Sequence, residues 1–525
     1  MSGGNGTSLT LSDLRQFRLE LAEATGKDKL DLLLSAADPL ATVRALPEAE
    51  LYMALLEIGP EDAADIVSLS SAEQFAHFVD RSTWLKSDEG PDTKGVLHWL
   101  TLARESARSD QALERYREKL AKLDIELLEL LLREQTRVYS LEETPDPPIE
   151  DWGRTWHTAE RKYVVEFVAE GGDYGTLKQL LDDLVAQDPF ITTRLLEAIR
   201  WEVPSELAET ARRWRDGRLR DLGFPQLDEA IAFYARPAKR APAVTPANPA
   251  VTGLARPAST LPLLDRALAL VPSESFERAE ESVLYAANAA LVANNVAPDD
   301  ALAARTTLQE TRSLLSLGLD VLAGGDAGRA AALLAERPIK QIFQAGMGEL
   351  YALQTRARLI SQAGRLPGAK SATLLESPWS DLMAALERKR PTLLDPRGKG
   401  RTRTPSDRSE VAIAEAALDE AAAALQILEL LGAGPAVVGP AAEAAGLLPS
   451  AVRARDALTA RARAALAGKG GVSFLDPGSE SDTGQTAESL AAKVAELVTE
   501  AAAKIGTQAA VRAAAVLAKP RPART

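Results

Sequence analysis

The sequence predicts a mostly all-α, multidomain protein with one minor β-hairpin near residues 137–169. Three observations predict it. Helix-start signals recur at short intervals near the N-terminus: Asp38-Pro39, Leu46-Pro47-Glu48, Gly59-Pro60-Glu61-Asp62 and Ser70-Ser71-Ala72-Glu73. Apolar residues then recur at helical spacing through most of the 525 residues. Alternating β-branched and aromatic residues are confined to Arg137–Glu143 and Arg161–Ala169.

The first signals define a stack of short helices. Proline suits the first helical position, where its missing N–H leaves nothing unpaired. Carboxylates in a first turn face the positive end of the helix dipole. Ser70 with Glu73 has the form of a capping box. Helices this short are unstable alone and must bury apolar faces against neighbours.

The remaining elements follow in order. Residues 1–8 read as a tail, and 9–136 as the N-terminal helical stack. Leu14, Phe17 and Leu21 share one helical face, and Leu30, Leu33 and Leu34 another. Asp92 caps a helix carrying Val96, Trp99 and Leu100. One long helix is expected from Ser109 to Arg133, striped by Leu113, Tyr116, Leu120, Leu123, Leu127 and Leu131. Residues 137–235 read as the hairpin plus further helices, with Tyr163, Val165 and Phe167 on one strand face. Asp188-Pro189 starts a helix with Ile191, Leu195, Leu196 and Ile199 inward. Residues 236–262 form a Pro/Ala-rich linker. Residues 263–518 are a C-terminal helical domain with flexible loops at 389–408 and 468–485. Its last helices are expected at 409–432, 440–467 and 487–518, and 519–525 is a tail. Gly346 and Gly348 lie in a helical pattern and predict close helix packing.

Composition removes several chemistries. There is no cysteine, which excludes disulfides, Cys-ligated metals and thiol nucleophiles. The three histidines, His77, His98 and His157, are not at metal-ligand spacing. His77 and His98 read as satisfied, half-buried side chains, and His157 as an exposed loop residue. No serine-nucleophile, P-loop or dinucleotide motif occurs, so no catalytic residue and no cofactor is expected. A net charge of −14 argues against nucleic acid as a partner. No run of about 18 apolar residues predicts membrane insertion. Met1–Thr7 lacks the form of a signal peptide, so the expected location is cytoplasmic.

Two resemblances add to this reading. Residues 38–88, DPLATVRALPEAELYMALLEIGPEDAADIVSLSSAEQFAHFVDRSTWLKSD, resemble the N-terminal helical domain of bacterial magnesium transporters. That likeness implies short helices stacked into a superhelix. Three passages carry a broader resemblance: residues 188–235, residues 282–294, and residues 311–326 with KRPTLLDP at 389–396. They are similar to a family of soluble bacterial helical proteins of unknown function. This implies a helical fold and supplies no activity.

Three groups of residues are candidate sites. The densest polar run, Arg200–Asp221, holds Trp201, Arg213, Trp214, Arg215 and Arg218. It reads either as an Arg/Trp surface gripping a partner or as paired charges around core tryptophans. Glu209–Arg213 and Arg212–Asp216 are opposite-charge i,i+4 pairs. The basic run Arg388–Arg408 reads either as a phosphate contact, to nucleic acid or a membrane surface, or as a solvated flexible loop; it contains no aromatic residue and so offers no stacking platform, which favours the loop. Glu61, Asp62 and Asp65, with Glu57, are weak metal candidates by analogy with the transporter domain. The functional expectation is a non-enzymatic cytosolic scaffold or regulator that binds a protein partner through helical surfaces. The alternatives are a divalent-ion-responsive module and an enzyme of unrecognised class.

Overall fold

A computed structural model describes residues 14, 16–18, 20–21, 24–84, 90–168, 173–237, 261–297, 300–367, 373–396, 398, 400–474 and 486–519. The expected linker 236–262 and loop 468–485 lie largely outside these residues. The chain forms two compact units: residues 1–229 with 291–307, and residues 230–290 with 308–525. Among the described residues it is mostly helical, with two small antiparallel sheets.

Unit 1 opens with α1 (Gly26–Leu34), α2 (Pro39–Ala45), α3 (Glu48–Ile58), α4 (Ala64–Leu69), α5 (Ala72–Ser82), α6 (Thr93–Glu105), α7 (Asp110–Lys122) and α8 (Ile125–Gln135). The Asp38 carboxylate accepts the Ala41 N–H, so Asp38-Pro39 starts α2 as expected. Each of α1 to α6 packs against the helix two places further on, which is the staggered stack the short helices need. Leu51, Leu55, Ile66, Val67, Phe75 and Phe78 are fully buried within it.

Two local expectations shift. The capping box is one residue later, Ser71 with Gln74, because Ser70 Oγ donates back to the Val67 carbonyl and stays with α4. The long helix 109–133 is two helices, broken at Leu123 and Asp124, both in extended conformation. The apolar stripe continues across the break, so spacing alone does not reveal it.

The hairpin is a three-stranded sheet in the order β1–β3–β2, formed by β1 (Thr136–Ser140), β2 (Thr155–His157) and β3 (Tyr163–Phe167). Val165 pairs with Val138 on one side and with Trp156 on the other. All five β3 residues are buried, so the alternation in Tyr163–Phe167 marks two covered faces rather than one. Helices α9 (Asp173–Gln187), α10 (Pro189–Trp201) and α11 (Pro204–Asp221) follow. One apolar core runs from Leu21 through the sheet to Ile199.

Unit 2 contains longer helices, including Ser273–Ala293 in part, Ala301–Ala323 in part, Ile339–Ala363 and Arg408–Leu430. Helices 301–323 and 339–363 cross at Gly318 and Gly346. A Cβ on Gly318 would lie 1.9 Å from the Ile342 carbonyl oxygen, and one on Gly346 2.4 Å from that of Leu314. Gly346 therefore permits the packing expected of it, whereas Gly348 only meets Pro237, at 3.5 Å. The expected helix 440–467 is two, Pro435–Ala444 and Ala454–Leu466, with Gly446 at positive φ between them. The last helix, expected at 487–518, breaks at Gly506 (φ 75°) into Ala487–Ile505 and Gln508–Leu517. The loop 389–408 is not irregular throughout, since Leu393–Leu394 pairs with Thr402–Arg403. No single helix among the described residues is long and apolar enough to cross a membrane.

Candidate functional site

Helix α11 carries the densest polar cluster, and its two faces do different things. Val203 is extended at the N-cap, Pro204 fills the first turn, and Arg218 and Arg220 sit in the last turn, favourable to the dipole. Leu207, Ala211 and Leu219 anchor the inner face.

The inner face also carries Arg218. Its Nε and Nη2 donate to the two carboxylate oxygens of Asp80, each at 2.8 Å. Its Nη1 and Nη2 donate to Asp124 at 2.7 and 2.6 Å. One guanidinium thus bridges α5 and the α7–α8 break with fork geometry at both carboxylates. This explains why Asp124 interrupts the helix: its side chain is turned to Arg218 rather than capping α8. Burial works against the charge on Arg218, but the two carboxylates outweigh it and hold the guanidinium protonated. Burial lifts the Asp80 carboxyl above its ordinary range, with Arg218 opposing. Arg215 donates from Nε to the Asp80 carbonyl at 2.9 Å and lies 5.5 Å over the Trp84 ring.

His77 sits on α5 beside this network. It is 2% exposed, and neither ring nitrogen has a hydrogen-bond partner among the described residues. The expectation of a satisfied, half-buried histidine is therefore wrong on both counts. Its neighbours are apolar rings: Tyr52 edge-on at 5.8 Å and Phe224 at 5.8 Å. Burial, with Arg81 and Arg215 adding to it, pushes the imidazole down to about 3. Arg81 stacks 4.7 Å over Phe224. The ring is held neutral in an aromatic pocket, so it acts as a core residue.

The outer face differs. Trp201 is 69% exposed and Trp214 58%, so neither tryptophan is in the core. Arg213 is exposed and reaches Glu209 at 3.2 Å. Arg212 also turns to Glu209, and Asp216 pairs with Arg215 at 2.9 Å, in place of the expected Arg212–Asp216 match. Phe190, Ile191 and Val203 on the same helical pair are exposed too. Ile191 was expected inward with Leu195, Leu196 and Ile199, which are buried; only the helix start swings out. The predicted surface thus divides: Trp201, Arg213 and Trp214 face out, while Arg215 and Arg218 bind the interior.

The other candidates stay apart. Glu61, Asp62 and Asp65 are all exposed, and among the described residues no three acidic or histidine side chains are grouped to hold a metal. His98, expected half-buried, is exposed and lies 3.8 Å from Glu61. His157 is exposed on β2 rather than in a loop, stacked on Trp152 at 6.2 Å. In unit 2 an apolar groove of about 730 Å³ runs past Leu359, Leu425, Leu430 and Ile505, with Gln426 and Glu429 as its polar side chains.

The model of a family of unknown function (DUF6178) matches residues 7–508. The chain belongs to this family. The match takes in both the short-helix stack and the later helices, so the stack is part of the family's own fold. No curated protein and no solved structure matches the chain. The likeness of residues 38–88 to magnesium transporters finds no support in these matches.

Proposed function

We propose that this protein is a non-enzymatic scaffold or regulator acting in the cytoplasm, and that it binds a protein partner through the outer face of α10 and α11. The observation that carries this reading is the exposure of Trp201 and Trp214. Large aromatic side chains left in water on an otherwise well-packed unit mark an interaction surface, because they bury much area at low entropic cost. Arg213 adds an exposed donor beside Trp214. The deeper arginines, Arg215 and Arg218, fix α11 against α5 and α8, so the surface is presented rigidly.

The test is an affinity pull-down from the native cell, read by mass spectrometry, comparing the wild type with W201A/W214A. The expected result is a protein retained by the wild type and lost from the variant, with thermal stability unchanged because both indoles are exposed. An identical set of co-purifying proteins from both would sink the assignment.

A further inference from the structure

The basic run Arg388–Arg408 contains no aromatic residue of its own, and unit 2 supplies the missing rings from elsewhere. The segment leading out of Phe233 lies along helix 339–363. Gln344 Nε2 donates to the Ala232 carbonyl at 3.0 Å, and Tyr351 Oη donates to the Tyr234 carbonyl at 2.6 Å. The Arg390 guanidinium lies 4.0 Å over the Tyr234 ring. The Arg236 guanidinium lies 5.2 Å over the Tyr351 ring and donates to Gln354 and Thr355 at 3.4 and 3.3 Å. Gln354 Nε2 donates to the Arg388 carbonyl at 2.7 Å, which brings the start of the basic run to the same place.

The result is a strip of cations and rings along one helix. Lys340, over Phe233 at 5.9 Å, extends it toward the helix start. From residue 340 to residue 355 the helix rises about 22 Å. Arg236, Arg388 and Lys389 are exposed, and Tyr234, Tyr351 and Arg390 are half-buried. Among the described residues Arg236, Arg388 and Lys389 have no carboxylate partner, and the polar side-chain contacts of the two arginines go to neutral groups. Elsewhere arginines are committed to acids, as at Arg218–Asp80, Arg403–Glu410 and Arg104–Asp183. Glu310, which feels Arg390, is pushed by burial toward its neutral form.

We propose that this strip binds single-stranded nucleic acid, with phosphates on Arg236, Arg388 and Lys389 and bases laid on the ring-backed guanidinium planes of Arg236 and Arg390. Alternation of cation and flat surface is what a strand of phosphates and bases presents, and guanidinium planes stack bases as aromatic rings do. A flat guanidinium already ordered on a tyrosine loses less freedom on binding than a free one. The net charge of −14 does not forbid this. Charges further away than about 10 Å are largely screened at 0.1 M salt, so the local cations decide.

The test is fluorescence anisotropy of a fluorescein-labelled oligouridylate of about 12 nucleotides with the full chain. With about three phosphates neutralised, raising salt from about 50 mM to about 200 mM lowers affinity about 20-fold. R236A/K389A binds at least about tenfold more weakly and has a log–log salt slope shallower by about 1.4, at about 0.7 per contact. R236K keeps the slope but loses part of the affinity, because charge stays and the plane goes. Lys493→Ala, at an exposed pair with Glu496, leaves binding unchanged. Absence of binding at low salt, or equal binding by R236A/K389A with a wild-type circular dichroism spectrum, overturns the proposal. So does displacement at equal concentration by a polyglutamate peptide of matched charge, which would assign the strip to acidic proteins.

Discussion

Removing Arg218 tests whether one guanidinium fastens α11 to the stack. Arg218→Met keeps the stem and deletes the donors at Asp80 and Asp124. The Asp80 side chain is only 4% exposed, so water cannot replace its two lost bonds; Asp124, at 13%, is little better placed. Breaking a buried pair by removing one partner costs about 3–5 kcal/mol, mostly as the penalty of an uncompensated buried charge. The chain has two compact units, so a single global unfolding energy is poorly defined. Hydrogen exchange read by mass spectrometry measures the local opening instead. About 3 kcal/mol corresponds to more than about 100-fold faster exchange in α5 and α11. Helix 339–363 of unit 2 should be unaffected. A triple variant, Asp80→Leu, Asp124→Leu and Arg218→Met, removes the charges together and should recover to within about 2 kcal/mol of the wild type. Exchange in R218M within tenfold of the wild type would show that the network carries little. A triple variant as poor as the single one would show that shape, not charge compensation, is at stake.

Further outcomes follow from the same geometry. His77 is neutral in the folded state down to about 3, whereas the unfolded chain takes up its proton near 6.5. The unfolded state therefore binds more protons between these values, and unit 1 should lose stability as pH falls below about 6.5. The loss from this group is about 2 kcal/mol at pH 5, and His77→Phe should flatten that slope in urea titrations at pH 5 and 7. Glycine-to-alanine changes inside helices usually stabilise by up to about 1 kcal/mol. Gly318→Ala and Gly346→Ala should instead destabilise unit 2 by about 1–3 kcal/mol because the new methyls meet carbonyl oxygens, while Gly348→Ala is tolerated; thermal melts decide the sign. Magnesium chloride should leave the melting temperature of the wild type unchanged, since Glu61, Asp62 and Asp65 are not grouped; a magnesium-dependent rise lost on replacing them would restore the ion-responsive reading.

The fold was legible where local chemistry dictated it, whereas the site, which depends on residues far apart in the chain, was not. Asp38-Pro39 and Pro47-Glu48 act within one turn, so those helix starts could be read residue by residue, whereas Gly59–Asp62 forms a turn and its helix begins only at Ala64. The break at Asp124 could not, because its cause lies 94 residues away in Arg218 and the leucine spacing runs on regardless. The arginines of α11 show the same limit. Arg213 and Arg215 are two places apart and look alike in sequence, yet a helix turns them about 200° from each other, one to water and one to the Asp80 carbonyl. Periodicity could have separated them had Leu207, Ala211 and Leu219 been taken to mark the inner face, since Arg215 and Arg218 continue that stripe at spacings of three and four. The tryptophans misled in the opposite sense. Large apolar residues are presumed buried, and helical spacing puts Trp214 only about 20° around the axis from Leu207, yet its indole is 58% exposed. Aromatic neighbours for the basic run were beyond any local reading, because Tyr234 and Tyr351 are brought to Arg390 and Arg236 only by the path of the chain along helix 339–363. The proposed sites lie where distant segments meet, which is why the helices announce themselves in the sequence and these sites do not.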